Sequence, residues 1–542
     1  MIVFLRFVAF ASCALCAAQA HAAFFCSAEY LSRFDERLLE GDCEEFHQAP
    51  IRGPHGTSTL HLIRYASPTH GDDAWLPMAD ELAARVGAAL QEMGGVRLQP
   101  DVNVFMVPDT LIDSIPGSSL TGPIHGEARS YGRDSCNLAI YKLPTDVSIE
   151  TFVFTLAHEI FHCVQHETWP EKEDLEAASW WAEGSAEYFA NLALPGTDRS
   201  LGFVTAFDSG ILENSMVDLA YPNVVFFAWL GQTGGAGAIP GLISAMPETE
   251  GLNAQLDALA EAVPDDRWRA FTEDYLSGRV QLPGGVAVPE PSATRGFVDF
   301  PDSPDVDYRA SAYQIDRIDL NFRRDLTFEL NDAPGGLLTG AKGPEGDYAP
   351  LPLSVDTCDG QKRYRHYATT TVAAGPGRLA VEVPELGPGA CCLTGTWQPT
   401  DTALQGLVDF AGAQGVSCSY NGGGWLLTFR PDGTGRIEYD GYSHSCTNAA
   451  GQMKVDSTLS GLTEFTWETT STSAAKLTFV DHSMAQSLIA KIGPARVDLS
   501  GDYPGPATDR TGMSYACERD SLSVIGMFNL FVEQKDHTRV AP

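Results

Sequence analysis

Hydrophobic periodicity changes along this chain at a segment rich in proline and glycine, residues 282–296. Before this segment, amphipathic helical patterns alternate with short runs that have the β-branched and aromatic content of strands. After it, apolar residues recur with a period of two, as in residues 313–322, which is typical of strands that bury one face. One domain of a single layer type cannot satisfy both patterns. The chain is therefore predicted to be multidomain, with an α+β domain followed by two all-β domains.

The length of 542 residues fits roughly three or four domains. Periodicity and composition predict a signal peptide at 1–22, an α+β domain at 23–281, a Pro/Gly/Asp-rich linker at 282–307, a small β-sandwich at 308–388 and an antiparallel β-barrel at 389–542. The acidic run that ends the linker, residues 299–307, lacks the spacing of a calcium-binding loop. We interpret it as solvated linker.

The charge balance excludes two classes of partner. The chain has 71 acidic and 35 basic residues, giving a formal net charge of −36. Such a surface repels phosphate backbones and anionic lipid headgroups, so neither nucleic-acid binding nor peripheral membrane attachment is expected. No internal stretch reaches the roughly 20 apolar residues that a spanning helix needs, so no membrane span is predicted.

The first 22 residues predict export. They form an apolar run with Arg6 as its only basic residue, and they end in the small-x-small triplet Ala20-His21-Ala22. This pattern indicates a secretory signal peptide cleaved after Ala22, the alternative being a buried N-terminal helix. The mature chain is expected in the periplasm or outside the cell, where disulfides form.

Cysteine usage agrees with an oxidising compartment. Removing the predicted signal peptide leaves ten cysteines, an even number, and none of them forms a CxxC pair. Neither a cysteine-based zinc site nor a thioredoxin-type redox motif is therefore supported. The local pairs that the spacing favours are Cys26 with Cys43 and Cys418 with Cys446. Cys136 and Cys163 can pair only if their segments meet in space, so the connectivity stays open.

The segment that carries chemistry is an apolar helical pattern at residues 151–167, which contains His158-Glu159-Ile160-Phe161-His162. Positions 158 and 162 lie one turn apart on one helix face, so both imidazoles can reach one metal ion. Glu159 points about 100° away from His158, beside the metal but not on it, where it can take a proton from a metal-bound water. The alternative is a packed helix that happens to contain two histidines.

A third ligand has to come from elsewhere in the chain. The metzincin position, six residues after His162, is Thr168. His166 lies about 12 Å along the helix axis from His158, too far for all three imidazoles to meet. A second helical pattern follows at 173–196 and offers Glu183 and Glu187, one turn apart.

The two helices together, HEIFHCVQ and then WWAEGSAEY, resemble the gluzincin zinc peptidases. The resemblance implies a zincin-like metallopeptidase domain in which His158, His162 and Glu183 bind Zn2+ and Glu159 is the general base. Glu187 matches no ligand position of the family. It is predicted either to hydrogen-bond a ligand imidazole or to be a carboxylate on the helix surface.

The same resemblance implies two further roles. An antiparallel edge strand beside the active-site helix pairs with extended substrate in this fold, and residues 135–143 are the candidate. Cys136 and Cys163 would then tie this strand to the helix, two free buried thiols being the alternative. Tyr221 is a candidate for stabilising the oxyanion because of its position, and a core aromatic is the alternative.

The sequence LTGTW at 393–397 resembles the opening strand of lipocalin-like barrels, with Gly395 and Trp397 at the two motif positions. The resemblance implies a lipocalin-like antiparallel barrel at the C-terminal end. An unrelated antiparallel barrel or sandwich with a tryptophan in its core fits the same residues.

These observations predict an exported zinc-dependent metalloendopeptidase that hydrolyses a polypeptide substrate through a zinc-bound water activated by Glu159. One alternative is an inactive peptidase-like protein that binds ligands through its β domains. Another is a zinc aminopeptidase, although the Gly-x-Met-Glu-Asn strand of those enzymes is missing. The β domains are assigned to targeting or substrate capture, and residues 23–285 are expected to fold and bind zinc alone.

Overall fold

The computed structural model describes residues 43–65, 76–106, 126–131, 135–141, 147–172, 176–249, 251–323, 326–343, 346–357, 360–383, 390–412, 416–471, 473–502, 510–518, 521–525 and 533–540. The predicted signal peptide at 1–22 and Cys26 lie outside these residues. None of the helices within them is long and apolar enough to span a bilayer.

The chain first builds a mixed five-stranded sheet in the order β1-β2-β3-β5-β4, in which β2, β3 and β5 run parallel to one another. Its strands are β1 (Cys43–Gly53), β2 (Gly56–Tyr65), β3 (Asp101–Met106), β4 (Gly126–Tyr131) and β5 (Ser135–Ile140). Five of the six residues in β3 and in β5 are buried, because helices and neighbouring strands leave neither face to solvent.

This burial corrects the expectation that residues 135–143 form the edge of the sheet. They contain β5, which lies between β3 and β4. The terminal position belongs to β4, which runs antiparallel to β5. A strand as apolar as β5 gains most from an interior place, whereas the more polar sequence GEARSY of β4 tolerates the edge.

Among the described residues, eight α-helices belong to the same region: α1 (Leu76–Met93), α2 (Ile149–Thr168), α3 (Ser179–Ala193), α4 (Leu201–Glu213), α5 (Val224–Gly234), α6 (Ala238–Ala245), α7 (Leu252–Ala262) and α8 (Asp265–Leu276). Ser148 caps α2 by accepting a hydrogen bond from the Thr151 backbone N–H at 3.2 Å. Thirteen residues of α2 and twelve of α3 are buried, so both helices lie inside the region.

Two four-stranded sheets follow, in the orders β12-β14-β10-β8 and β13-β11-β15-β9. Their strands, after the short hairpin β6 (Gln281–Leu282) and β7 (Val286–Ala287), are β8 (Phe297–Phe300), β9 (Asp305–Tyr308), β10 (Ile315–Phe322), β11 (Thr327–Ala333), β12 (Leu338–Lys342), β13 (Ser354–Asp356), β14 (Lys362–Thr369) and β15 (Gly377–Glu382). Apolar side chains from both sheets share one core, which includes Phe322 and Phe328. We call this unit the sandwich.

The segment predicted as a linker, 282–307, contains strands of the sandwich. β8 pairs in parallel with β10, and β9 pairs antiparallel with β15. Phe300 and Val306, within the acidic run, are buried in the sandwich core. Composition hides these strands because each has only four residues and is flanked by proline, glycine and aspartate.

The sandwich also shares the core of the helical region. Four of its residues, Tyr313, Ile315, Tyr348 and Tyr367, belong to the same buried cluster as the helices. Polar contacts cross the boundary as well, since Trp268 Nε1 on α8 donates to Thr369 Oγ1 at 2.6 Å.

The last unit is a closed antiparallel sheet. Eight strands form a ring in the order β16-β17-β18-β19-β20-β23-β24-β25, and β25 pairs with β16 to close it. The elements of this unit are a short helix α9 (Ala390–Leu393), β16 (Gly395–Pro399), α10 (Asp401–Gly412), β17 (Val416–Phe429), β18 (Thr434–Asn448), β19 (Met453–Ser471), β20 (Ala474–Ile492), β21 (Ala495–Asp498), β22 (Gly501–Asp502), β23 (Arg510–Glu518), β24 (Ser521–Ile525) and β25 (Glu533–Val540). Trp397 is fully buried and its Nε1 donates to the Leu393 carbonyl at 2.8 Å.

The prediction of a multidomain chain with an α+β part followed by all-β parts is confirmed.

Three cysteine pairs among the described residues lie at disulfide distance: Cys136–Cys163, Cys392–Cys517 and Cys418–Cys446. The first joins β5 to α2, and the third is one of the two predicted local pairs. The second joins residues 125 positions apart, which spacing does not reveal.

Candidate functional site

The site is built on α2, whose apolar side chains fix it against the sheet while His158, Glu159 and His162 lie at its middle. All three are nearly inaccessible to solvent. The two imidazoles are one turn apart, as the sequence predicts, and their ring centroids are 4.9 Å apart. The helix therefore presents two imidazoles at one point, with a carboxylate beside them.

Three side-chain atoms converge on that point. His158 Nε2 lies 3.1 Å from His162 Nε2 and 3.2 Å from Glu183 Oε2, and His162 Nε2 lies 3.6 Å from the same oxygen. Ligand atoms bound at about 2.0–2.1 Å to a tetrahedral zinc ion lie about 3.3 Å from one another. The observed triangle has this size, and these three residues form a group able to hold a metal ion.

The Nδ1 nitrogen of each ring has a hydrogen-bond partner. His158 Nδ1 lies 3.2 Å from Glu187 Oε2, and an ionised carboxylate only accepts hydrogen bonds. His162 Nδ1 lies 2.7 Å from Gln165 Oε1, and the Gln165 amide nitrogen donates to the Ala182 carbonyl at 2.9 Å. Both Nδ1 atoms therefore carry a proton, so on a ring that is neutral the lone pair lies on Nε2. With both rings neutral, two lone pairs and a carboxylate face one another.

Both carboxylate oxygens of Glu187 have hydrogen-bond partners. Its Oε1 accepts a hydrogen bond from Ser200 Oγ at 2.7 Å, and Asn191 Nδ2 donates to Ser200 Oγ at 2.6 Å. Glu187 is buried, so the alternative of a carboxylate on the helix surface is wrong. Its contacts hold the ring of His158 in one orientation.

The charges at the centre favour a cation. Burial alone would lower the pKa of His158, but hydrogen bonds with Glu183 and Glu187 raise it to about 10. Burial likewise opposes the charge of Glu183, yet the imidazoles of His162 and His158 hold its pKa well below the usual range. Both shifts have the same origin, because three carboxylates surround two imidazoles. Protons or a metal cation can supply the positive charge.

Glu159 lies beside this centre and lines a cavity of about 510 Å³. Its neighbour in the lining of this cavity is Gly126, the first residue of β4. A Cβ at position 126 would lie 3.1 Å from Glu159 Cγ and 3.2 Å from its Oε1. The close approach explains why a glycine stands here, and it places Glu159 at the edge strand.

Tyr221 belongs to the site and not to the core. Its ring stacks on His158 with centroids 5.5 Å apart and on Phe203 with centroids 5.1 Å apart. The residue is 39% exposed and lines the same cavity. Burial of the hydroxyl and the nearby carboxylates of Glu183 and Glu159 raise the pKa of Tyr221, so the hydroxyl keeps its proton.

The structure thus brings together the residues that the sequence selects: His158, Glu159, His162, Glu183, Glu187 and Tyr221. Sequence reasoning misses the role of Gln165, which lies one turn after His162 and could be found from that spacing. It also misses Gly126, Ser200 and Phe203, which reach the site through tertiary structure and carry no local signal.

No protein-family model matches this sequence, and no curated protein matches it. The gluzincin resemblance therefore rests on the residues of α2 and α3 alone.

Proposed function

We propose that this chain is an exported zinc-dependent metalloendopeptidase of the gluzincin type, with a zincin-like domain that precedes the two β units. One observation carries the proposal. The Nε2 lone pairs of His158 and His162 and the Glu183 carboxylate converge within 3.1–3.6 Å, while both Nδ1 atoms have acceptors. Atoms this close need a positive charge among them, which protons on the rings or a metal cation can supply.

The donor set fits zinc. Two imidazole nitrogens and one carboxylate oxygen leave a fourth position open, which is the pattern of catalytic zinc sites. A zinc ion held by His158, His162 and Glu183 would lower the pKa of a water molecule and polarise a peptide carbonyl. Glu187 and Gln165 would hold the two ligand rings in place.

Glu159 is assigned the proton transfers. Its carboxylate faces the cavity beside the three ligands, so it can accept the proton of a water molecule that attacks the peptide carbonyl carbon. It then delivers that proton to the amide nitrogen as the C–N bond breaks. The side chain starts and ends the cycle ionised.

Tyr221 is assigned to the carbonyl oxygen. Its protonated hydroxyl lies near Glu183 and Glu159, at the wall of the same cavity. A hydroxyl there can donate a hydrogen bond to the oxygen as negative charge develops on it. The stack with His158 and Phe203 restricts the ring to one plane.

The substrate is proposed to be an extended polypeptide. Among the described strands, β4 has a partner on one side only, and its Gly126 lies so near Glu159 that a Cβ there would be 3.1 Å from Glu159 Cγ. An extended peptide can add to this edge by main-chain hydrogen bonds, which places a peptide bond beside the catalytic carboxylate. The closed sheet, with Trp397 at its base, is proposed to be lipocalin-like and to serve targeting or substrate capture.

The test combines metal analysis with casein hydrolysis by the full-length protein. We expect one zinc per chain, and the Glu159→Gln variant should keep it while losing turnover by 10²-fold or more, since the general base contributes on the order of 10²–10⁴. The matched control, Glu183→Ala, should lose both zinc and turnover. A fully active Glu159→Gln variant would contradict the mechanism, and a zinc-loaded but inactive wild type would favour a binding protein.

A further inference from the structure

We propose that the sandwich is part of the catalytic unit, because residues 312–317 position Tyr221 for its hydrogen bond to the substrate. The inference rests on the proposed function. It goes beyond that function because it gives the sandwich, which has no catalytic step above, a role in turnover. Two chains of contacts connect residues 312–317 to Tyr221.

The first chain runs through the segment that precedes Tyr221. The Met216 backbone N–H donates to the Tyr313 carbonyl at 2.9 Å, and Ser215 Oγ donates to the Ala312 carbonyl at 2.6 Å. Gln314 Nε2 donates to the Leu212 carbonyl at 2.8 Å. The sandwich therefore holds residues 212–216 by three hydrogen bonds.

Asn223 closes that segment behind Tyr221. Its amide nitrogen, which has two N–H groups to donate, lies at hydrogen-bond distance from the carbonyls of Met216 (3.0 Å), Leu219 (2.6 Å) and Trp180 (3.1 Å). Trp180 is on α3, three residues before the ligand Glu183. The short 3-10 turn Tyr221–Asn223 is thus fixed between the sandwich contacts and the helix that carries a proposed metal ligand.

The packing around Asn223 is tight. A Cβ on Gly184, the residue after Glu183, would lie 2.8 Å from Asn223 Cβ. Only glycine at this position lets the segment approach α3 so closely. A small displacement of the segment is therefore transmitted to the cavity wall and is not absorbed by a gap.

The second chain runs through α4. Arg317 is fully buried, and its guanidinium contacts Asp208 Oδ1 and the Asp208 carbonyl, each at 2.5 Å. Asp208 is on α4, the same helix as Phe203, whose ring stacks on Tyr221. One side of the Tyr221 ring is held by this helix and the other side by His158.

Tyr313 shows how firmly the contact is built. Its backbone has φ of 57°, in the left-handed region that residues with a side chain avoid. Its hydroxyl donates to the Val263 carbonyl at 2.9 Å, and its N–H donates to the Thr370 carbonyl at 2.7 Å. Such a conformation persists only where the surroundings determine it, and such sites cluster near functional centres.

The experiment compares two backgrounds in the full-length protein, the wild type and Tyr221→Phe. The double variant Ser215→Ala/Gln314→Ala removes two contacts between the sandwich and the segment without touching the site. We expect it to lower kcat about tenfold, with zinc content and KM unchanged, because sub-ångström misplacement of a catalytic group costs rate. In the Tyr221→Phe background, where kcat is already lower by about 10²-fold, its effect should fall below twofold.

The matched control is Tyr367→Phe, which removes a different contact between the sandwich and the helical region, the 2.9 Å hydrogen bond to Glu273. Its effect on kcat, if any, should be equal in both backgrounds. If the double variant does not fold, Gln314→Ala alone replaces it.

The outcomes separate the two proposals. Equal effects of the double variant in both backgrounds would overturn the positioning role, and so would a Tyr221→Phe variant with normal kcat. Either result leaves zinc-dependent hydrolysis by the wild type intact. A wild type without that activity overturns the proposed function itself.

Discussion

The two all-β units relate to the helical region in opposite ways. The sandwich contributes four aromatic and aliphatic residues to the helical core and makes buried polar contacts with it. The closed sheet has a separate core whose buried members all lie between Leu393 and Val524. Both units look alike in sequence, as alternating strands after a linker. The difference shows that a segment of linker composition does not mark where one core ends.

The Pro/Gly-rich segment itself illustrates the point. Leu282 and Val288, at its start, are buried in the helical core, and Val280 just before them is buried as well. A domain boundary falls where few contacts cross it, and many cross here. The better candidate for an independent boundary lies between the sandwich and the closed sheet, after β15.

The largest expected effect comes from truncation. A fragment of residues 23–285 removes Thr369, which accepts the hydrogen bond of Trp268, and leaves Asp208 without Arg317. We expect it to be insoluble or unfolded, contrary to the expectation from linker composition. A fragment of residues 23–389 keeps the whole shared core and should fold, bind zinc and hydrolyse an unstructured peptide.

Circular dichroism, zinc analysis and a peptide assay on both fragments measure this difference. A folded, zinc-loaded fragment that ends at residue 285 would place the boundary where composition alone puts it. It would also remove the contrast between the two β units.

A pair of point variants sharpens the comparison. Arg317→Met leaves Asp208 without its buried partner, and we expect it to destabilise the helical region by about 3–5 kcal/mol. Trp397→Ala removes a fully buried ring from the closed sheet and should cost that unit about 3–5 kcal/mol. The perturbations are similar in size but act on different cores.

Calorimetry and thermal inactivation distinguish the two outcomes. Arg317→Met should lower the temperature at which peptidase activity is lost, whereas Trp397→Ala should shift only a transition that leaves activity intact. An early loss of activity in Trp397→Ala would mean that the closed sheet is coupled to the site after all.

Much of the site follows from local rules, which explains why the sequence identifies it. His158, Glu159 and His162 share one helix, so the helical repeat alone determines their relative placement. Glu183 and Glu187 lie on the next helix, where a spacing of four residues puts both carboxylates on one face. Tyr221 does not follow from a local rule: the sequence names it only from its position after these helices, and tertiary contacts place it in the site.

The parts that sequence does not predict depend on contacts distant in the chain. Gly126 lies beside Glu159 because β4 is the edge strand. The hydrophobic periodicity of β4 and β5 does not predict which of them lies at the edge. Arg317 carries no sign of being buried, since a buried arginine looks like any other until its partner is known. Cys392 and Cys517 meet only when the antiparallel ring closes.

The smallest expected effect is a dependence of stability on pH that reports which units unfold together. His366 on β14 is buried in the sandwich, and burial lowers its pKa to about 4, although Asp332 partly opposes the shift. In the unfolded chain the ring regains a pKa near 6.5. Between these values the unfolded state binds a proton that the folded state does not bind, so stability falls as pH drops from about 6.5 to about 4.

The full loss from this group is at most about 3.5 kcal/mol, because each unit of pKa shift corresponds to about 1.4 kcal/mol. His366→Met should abolish this part of the pH dependence, so the difference between wild type and variant isolates it. If the sandwich and the helical region unfold as one unit, the temperature of activity loss must carry this difference. The unfolding transition of the closed sheet must not show this difference. If the temperature of activity loss depends on pH equally in the wild type and in His366→Met, the sandwich unfolds separately from the helical region, despite the shared core.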